Sequence, residues 1–408
     1  MSKNILIINE YAGSPRYGMT FRHYYLAREF INKGYKTTIV TGSYSHFLKK
    51  FPNMQNSLYK NEIIDGVNYL WIKVMKYSKS FDKKRALKWF EFTYKLFFIT
   101  KYLDEKPDII ICSSSAPFAI IPAYYLSKKF NAKLVFEVRD IWPMTLVEIG
   151  GFSKNNLFIK FMGLFEKFAL KKSDILVSNL QNYTKHIKEL GINREAHWVS
   201  NGIYLQEMKN IKELDISIAD LIPKNKFIIG YTGKLGVSNA ITYLIEAAEI
   251  LAKQSDICFV IVGDGQEKEN LIKKAQTLSN VVFINPIEKS EIHSMLKLFD
   301  VCYIGLQKEK LFKYGVSPNK LYDYMYSAKP ILHSIDTSND IVKLSNCGIS
   351  VEAENSKEIA KSILDFYNMD EIQRNNLGKN GKSYVLEYFT YDKLAEKFIK
   401  IFNCEIYR

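Results

Sequence analysis

Two doubly wound α/β domains in tandem, each a Rossmann-like parallel sheet flanked by helices, follow from three observations. Short continuous apolar runs alternate with amphipathic helical patterns along most of the chain, the mark of parallel strands covered on both faces. The alternation falters over the polar stretch 207–226, which carries Pro223, and then restarts. The 408 residues, 47% of them hydrophobic, suffice for two cores.

The first domain opens with a strand at 5–8 and a loop at 9–19 holding Gly13 and Gly18. Thr20 caps a helix that runs to Lys33, Gly34 ends it, and 37–41 is the next strand. Further buried strands fall at 109–112, 134–138 and 175–177. The segment 62–74 differs, because Asp65-Gly66 between two short runs predicts an inserted hairpin. Trp89, Phe92, Leu96, Ile99 and Leu103 recur at helical spacing as a core stripe. The second domain has its strands at 227–231, 257–262, 281–284, 301–304, 330–333 and 349–351. The domains are 1–205 and 206–385, with a closing helix in 386–408 that packs back on the first. Ligands bind such sheets at the strand carboxyl ends, so a cleft between the two domains is the expected site.

Composition narrows the function classes. The net charge of +14 suits nucleic acid, an anionic membrane face or phosphorylated substrates. Cys112, Cys258, Cys302, Cys347 and Cys404 lie far apart, as reduced residues of a cytosolic protein do. The six histidines show no metal-ligand spacing and no Asp-X-Asp occurs, so no metal site is expected. The N-terminal apolar run is too short for a secretory signal, and Ser113, Pro117 and Pro122 break the apolar stretch 108–127, so no membrane span is expected.

One window concentrates binding chemistry: Gly315-Val-Ser-Pro-Asn-Lys-Leu-Tyr-Asp323. Ser317 serves as a helix cap, Pro318 suits the first helical position, and Lys320 lies one turn inside. The N–H groups of Asn319 and Lys320, the helix dipole and the ammonium together make an anion site, most naturally for phosphate. Asp323, one turn on, offers a carboxylate to vicinal hydroxyls. Phosphate donors beside a diol acceptor describe a nucleotide's diphosphate and ribose. The structural alternative is an ordinary capped helix packed through Leu321 and Met325.

Two more strand-to-helix junctions repeat the design. In Tyr231-Thr-Gly-Lys-Leu-Gly236, Gly233 and Lys234 precede a helix from about Asn239. In Val262-Gly-Asp-Gly265 the helix starts at about Gln266. Glycine there lets the backbone approach a ligand, although a tight turn needs glycine anyway.

These residues resemble glycosyltransferase family 4, retaining enzymes of the GT-B fold. Gly263, Asp264 and Gly265 are similar to that family's Gly-Asp-Gly element. Asn280-Val-Val-Phe-Ile-Asn-Pro-Ile287 is similar to the strand and loop that read the base, with Ile287 as the contact. Val199-Ser-Asn-Gly-Ile203 resembles the Asn-Gly element at the exit from the first domain. Phe136-Glu-Val-Arg-Asp-Ile-Trp-Pro143 and Ala12-Gly-Ser-Pro-Arg-Tyr-Gly-Met-Thr20 resemble a narrower subgroup that makes bacterial surface polysaccharides and includes N-acetyl-L-fucosaminyltransferases.

The resemblance implies a UDP-sugar donor, an N-acetylated amino sugar, used without cofactor or metal, and a polyprenyl-diphosphate-linked saccharide acceptor. It also implies retention without a Ser, Cys or His nucleophile, with Lys234 and Lys320 stabilising the leaving diphosphate. Three departures stand out. The family's paired glutamates appear as Gly315 and Asp323. Its Arg and Lys on the first phosphate junction appear as Lys234 and Asn239, leaving Lys320 to supply the missing charge. Its sugar-contacting His is replaced by Arg139.

Arg139 and Asp140 follow a buried strand, where they contact the sugar side or form an ion pair that fixes the turn. Arg16 and Gly18 belong to a loop that closes over the diphosphate or is a plain turn. Phe90, Phe97, Phe98 and Tyr102, with Lys83, Lys84, Arg85, Lys88, Lys95 and Lys101, make a basic aromatic surface. Residues 157–172, with Phe158, Phe161, Phe165 and Phe168, repeat it. Such helices suit peripheral binding to the anionic inner face of the cytoplasmic membrane, or are core helices with snorkelling lysines. Rival readings are a UDP-sugar 2-epimerase, an inactive membrane-bound assembly partner, and a nucleic-acid-binding protein. Dispersed basic residues argue against nucleic acid.

Overall fold

The computed structural model describes residues 3–18, 21–77 and 84–404. It divides into two compact units, Met1–Ser200 with Tyr391–Arg408, and Asn201–Thr390. The chain therefore passes between units at Ser200–Asn201, rather than within the polar stretch 207–226. That stretch is tied to the second unit, where Lys212 donates its backbone N–H to the Ser290 carbonyl (3.0 Å) and Lys289 pairs with Glu207 (2.6 Å).

Sheet one contains β1 Asn4–Ile8, β2 Lys36–Gly42, β3 Tyr59–Ile64, β4 Val67–Ile72, β5 Ile109–Ser113, β6 Lys133–Val138, β7 Ile175–Ser178 and β8 His197–Trp198. Their order is β3-β4-β2-β1-β5-β6-β7-β8. Only the β3–β4 hairpin is antiparallel. Its turn residues Asp65 and Gly66 both have positive φ (49° and 80°), as a two-residue hairpin with right-handed strand twist requires. The predicted stripe is buried through Trp89, Phe92, Leu96 and Ile99, but the helix Lys84–Leu96 stops there and a 3-10 turn, Ile99–Tyr102, follows. The closing helix Tyr391–Cys404 packs on the helix Arg22–Asn32 through Tyr391 against Tyr25 and Phe398 against Phe30. The predicted cap Thr20 lies outside the described residues, as do Met19 and Lys83.

Sheet two contains β9 Phe227–Thr232, β10 Ile257–Val262, β11 Val281–Ile284, β12 Val301–Gly305, β13 Ile331–Ser334 and β14 Gly348–Val351. The order is β11-β10-β9-β12-β13-β14 and every pairing is parallel. Ile229, Phe259, Ile261, Val301 and Leu332 meet Leu244, Ile359, Ile363 and Phe366 in its core. Both sheets thus follow the expected doubly wound plan. Among the described residues no helix is long and apolar enough to cross a membrane.

The first unit buries several charges. Lys88 and Glu10 are fully enclosed and pair at 2.9 Å, with the Lys88 ammonium also donating to the Tyr44 carbonyl and lying over the Tyr11 ring. Burial raises the Glu10 carboxyl and lowers the Lys88 ammonium relative to their ordinary values, and each partner opposes the shift of the other. Lys88 is therefore no surface residue. Its ammonium satisfies a carboxylate that the apolar surroundings would otherwise strand. Arg85 is likewise drawn inward, stacked over Tyr11 and Trp89. Lys88→Gln should lower the stability of the first unit by about 3–5 kcal/mol, because it leaves Glu10 buried without its counter-charge. Lys88→Met combined with Glu10→Met should recover most of that loss, as read by chemical denaturation.

Candidate functional site

The carboxyl ends of β9, β10 and β12 gather the second unit's junctions. After β9 the chain turns through Gly233 and Lys234 into a 3-10 turn, Val237–Asn239, and the helix proper begins at Ile241. After β10 it turns through Gly263, Asp264 and Gly265 toward the helix Lys268–Lys274. These two loops lie backbone against backbone. Gly233 N–H donates to the Val262 carbonyl (2.9 Å), and Leu235 N–H to the Asp264 carbonyl (2.8 Å).

A Cβ at Gly263 would fall 1.8 Å from the Gly233 carbonyl oxygen, and one at Gly265 would fall 2.1 Å from that of Leu235. Gly263 also has φ +148°. What approaches these glycines closely is the neighbouring loop. Their part in a site is to set that loop's position. Asp264 and Lys234 are exposed on the same two loops.

The third junction differs from its sequence reading by one residue. Pro318 has extended backbone (ψ 128°) and takes the cap position, so the helix is Asn319–Tyr326. Ser317 does not cap it. Its hydroxyl instead accepts the Asn201 N–H (2.9 Å) and meets the Tyr322 hydroxyl (3.0 Å), while Asn201 Nδ2 donates to the Ser317 carbonyl (2.6 Å). The Asn-Gly element thus buttresses this helix start within the second unit. Gly315, where the family carries an acid, has φ 105° and ψ 165°, a region that only glycine occupies without strain.

Lys320 reaches back from the helix to the first junction. Its Nζ donates to the Tyr231 hydroxyl (2.6 Å) and to Asn239 Oδ1 (3.1 Å), and lies 4.1 Å above the Tyr231 ring. The Tyr231 hydroxyl in turn donates to the Lys234 carbonyl (2.8 Å). Among the described residues no carboxylate lies within 4.0 Å of this ammonium. Desolvation without a counter-charge pushes its pKa down to about 7. A Cβ on Gly233 would come within 2.9 Å of Nζ, so the lysine and the first junction share one spot. Asp323, on the same helix, stands 3.3 Å from Nε2 of the buried His293, a neighbour that sequence reasoning missed. Ile287 lies half-buried in the loop after β11, at the sheet edge.

The first unit's candidates fare differently. Arg16 pairs with Glu62 of β3 (2.9 Å). Gly18 closes a short bridge to Ser14 and packs against Lys49. Arg139 and Asp140 form no ion pair. Their turn is fixed by the Ser114 hydroxyl, which accepts the Arg139 N–H (3.0 Å). Beneath them lies a buried network absent from the sequence reading. Glu137 accepts from Arg22 Nε (2.9 Å) and meets His23 Nε2 (2.6 Å), and His23 Nδ1 meets Asn9 Nδ2 (2.7 Å). Burial pushes the Glu137 carboxyl up, but His23, Arg22 and Arg139 outweigh it and hold it below the carboxylate range. Arg22 also donates to the carbonyls of Val199 and Ser200, the last residues before the chain leaves the unit. One signal was available: a lone acid inside the apolar run of β6 demands a partner.

Comparison with known families now bears on these junctions. Residues 18–207 match the family described as Glycosyltransferase Family 4, and residues 212–384 match Glycosyl transferases group 1. The chain carries both glycosyltransferase domains. It is 22% identical over 295 residues to WbjE of Pseudomonas aeruginosa, named a probable glycosyltransferase, covering 69% of this chain and 73% of that protein. It is 27% identical over 225 residues to WcaI of Escherichia coli, named a putative colanic acid biosynthesis glycosyl transferase, covering 53% of this chain and 54% of that one.

Among solved structures, sucrose-phosphate synthase of Thermosynechococcus elongatus superposes with a TM-score of 0.73 at 14% identity, covering 98% of each chain. HepE of Anabaena, solved in complex with UDP and glucose, gives 0.67 at 14% identity, covering 98% of this chain and 100% of that one. At such identities the likeness establishes the fold, which is GT-B as expected.

Gly263→Ala should destabilise the second unit by about 2 kcal/mol or more, through the clash with the Gly233 carbonyl and the positive φ. Thermal unfolding checks it. An unchanged midpoint would return this glycine to a role in ligand approach alone.

Proposed function

We propose that this glycosyltransferase moves a sugar, an N-acetylated amino sugar, from UDP to a polyprenyl-diphosphate-linked saccharide during synthesis of a surface polysaccharide, with retention at the anomeric carbon. The observation that carries the reading is Lys320. A half-buried ammonium held only by a phenol, an amide oxygen and a ring face has an unmet need for an anion. It lies where the N-terminus of the helix Asn319–Tyr326 and the Gly233 junction already favour phosphate. Asn239, which stands where the family has a basic residue, positions Lys320 instead of charging the phosphate itself.

In this mechanism the C1–O bond to the diphosphate breaks while the acceptor oxygen bonds to C1 on the same face. The departing phosphate oxygen takes the acceptor hydroxyl's proton. Lys320, Lys234 and the free N–H groups stabilise the charge that develops on the diphosphate, so neither a metal nor a side-chain nucleophile is required. Asp323 binds the ribose hydroxyls, with His293 steadying it. Ile287 borders the base, while Arg139 and Asp140 serve the sugar side. The HepE complex with UDP and glucose supports a UDP-sugar donor, and the colanic acid and capsular polysaccharide names of WcaI and of CapM of Staphylococcus aureus support the pathway.

The reading extends to a membrane face. Leu87, Phe90, Tyr94 and Phe98 are exposed along and just after the helix Lys84–Leu96, and Leu157, Phe161 and Leu164 along the helix Leu157–Lys172. The ring of Phe118 joins the two sets, stacked on Phe90 (4.5 Å) and 5.7 Å from Phe161. Lys84, Lys160, Lys167 and Lys171 are exposed on the same helices. Apolar side chains ringed by lysines suit the anionic cytoplasmic leaflet, where a lipid-linked acceptor resides.

Lys320→Ala should weaken UDP binding by roughly 1.5–3 kcal/mol in calorimetry, the usual worth of a charge-assisted bond. The wild type should also take up a proton on binding UDP. The free ammonium titrates near pH 7, the bound diphosphate raises that value, and so affinity falls as pH climbs above about 7. Titrations in buffers of differing ionisation enthalpy read the proton directly, and Lys320→Ala should abolish its uptake. Sedimentation with anionic vesicles should weaken in high salt, since attraction fades beyond about 8–10 Å at physiological ionic strength. Changing Lys84, Lys160 and Lys167 to Gln, or Leu87, Tyr94 and Leu164 to Ser, should reduce it without altering UDP affinity. Equal sedimentation with neutral vesicles would reject the membrane face.

A further inference from the structure

A small hollow in the first unit lies at the carboxyl ends of β5, β6 and β7. Phe136, Val138 and Met162 give it an apolar floor, and Trp142, Tyr183, Asp140 and Glu166 line its wall. Two of these carry buried polar atoms with no hydrogen-bond partner, the Trp142 indole Nε1 and the Tyr183 hydroxyl. Tyr183 is only 1% exposed, so its hydroxyl is shut away from bulk solvent at a real cost. Burial and the nearby Glu166 raise its pKa well above the ordinary tyrosine value, which keeps the O–H a donor. Glu166 is held in place by His186 Nε2 (2.8 Å).

The lining selects by chemistry. Two carboxylates, Asp140 and Glu166, repel an anion. A lone hydroxyl would leave the apolar floor and one donor unused. An acetamido group meets every feature: its methyl covers Phe136 and Met162, its carbonyl oxygen accepts from Trp142 or Tyr183, and its N–H donates to a carboxylate. The space accommodates only a few heavy atoms, the size of such a substituent and not of a whole sugar ring.

We propose that this pocket binds the N-acetyl group of the acceptor saccharide and so sets which acceptor sugar the enzyme uses. This rests on the sugar-transfer reading above, but it concerns a different ligand and a different unit.

Saturation-transfer NMR on the full chain tests it, with methyl N-acetylglucosaminide and methyl glucoside as probes, each with and without saturating UDP. The acetamido methyl should be saturated at least three-fold more strongly than any proton of the glucoside. Tyr183→Phe and Trp142→Phe should each reduce that signal at least three-fold while UDP affinity stays unchanged. Tyr183→Phe removes an unpartnered hydroxyl, so its Tm should match or exceed the wild type, which separates loss of binding from loss of folding. Equal saturation of both glycosides, or an undiminished signal in both variants, overturns the proposal. If UDP competes the N-acetyl signal away, the probe occupies the nucleotide site and the pocket assignment is overturned. Binding of the N-acetyl glycoside without any UDP binding would support the pocket and overturn the donor site, whereas UDP binding alone would overturn the pocket.

Discussion

The backbone contact between the loops after β9 and β10 determines the geometry of the second unit's strand ends. Gly263 and Gly265 each have a carbonyl of the neighbouring loop where a side chain would otherwise be, and the loops exchange backbone hydrogen bonds instead of solvating them. That leaves Tyr231 and Asn239 fixed at one spot, and Lys320 extends from a separate helix to meet them. The ammonium is positioned before any ligand arrives. Ordering a lysine costs rotamer entropy, and here folding has already met that cost.

Buried charge is treated in opposite ways at two places in the chain. In the first, Lys88 faces Glu10, and Glu137 faces Arg22 and His23. Each cation has its anion, so these groups hold β1, β6 and the helix Arg22–Asn32 together and have little left to offer a substrate. In the second, Lys320 has neutral partners only. Low dielectric makes an unpaired charge costly in the free protein and strongly attractive to an anion that reaches it. The two kinds of buried charge differ in whether a counter-ion is present, and residue type does not reveal it.

Contacts also reassigned residues that looked alike in the chain. Arg16, Arg85, Lys88 and Lys320 are all basic residues near glycines or aromatics. Glu62 takes the first, two rings hold the second, Glu10 takes the third, and the fourth rests on a phenol, an amide oxygen and a ring face. Ser317 reads as a cap because caps are local, yet Asn201, distant in sequence, takes its hydroxyl. Arg139 and Asp140 are adjacent but form no ion pair with each other, and the Ser114 hydroxyl fixes their turn.

The sequence by itself determined the two parallel sheets, the Asp65-Gly66 hairpin, the glycine-bearing junctions and the helix that begins near Lys320. Each of these rests on short-range physics: side-chain period, turn conformations open only to certain residues, and the orphan N–H groups of a helix start. Only the tertiary structure decided which charges are neutralised, why Gly263 and Gly265 are glycine, and that Tyr183 and Trp142 share a hollow with unspent donors. Those facts depend on groups tens or hundreds of residues apart coming within a few ångströms of one another. Burial and partnership belong to pairs of residues brought together by folding, and no single stretch of chain contains them.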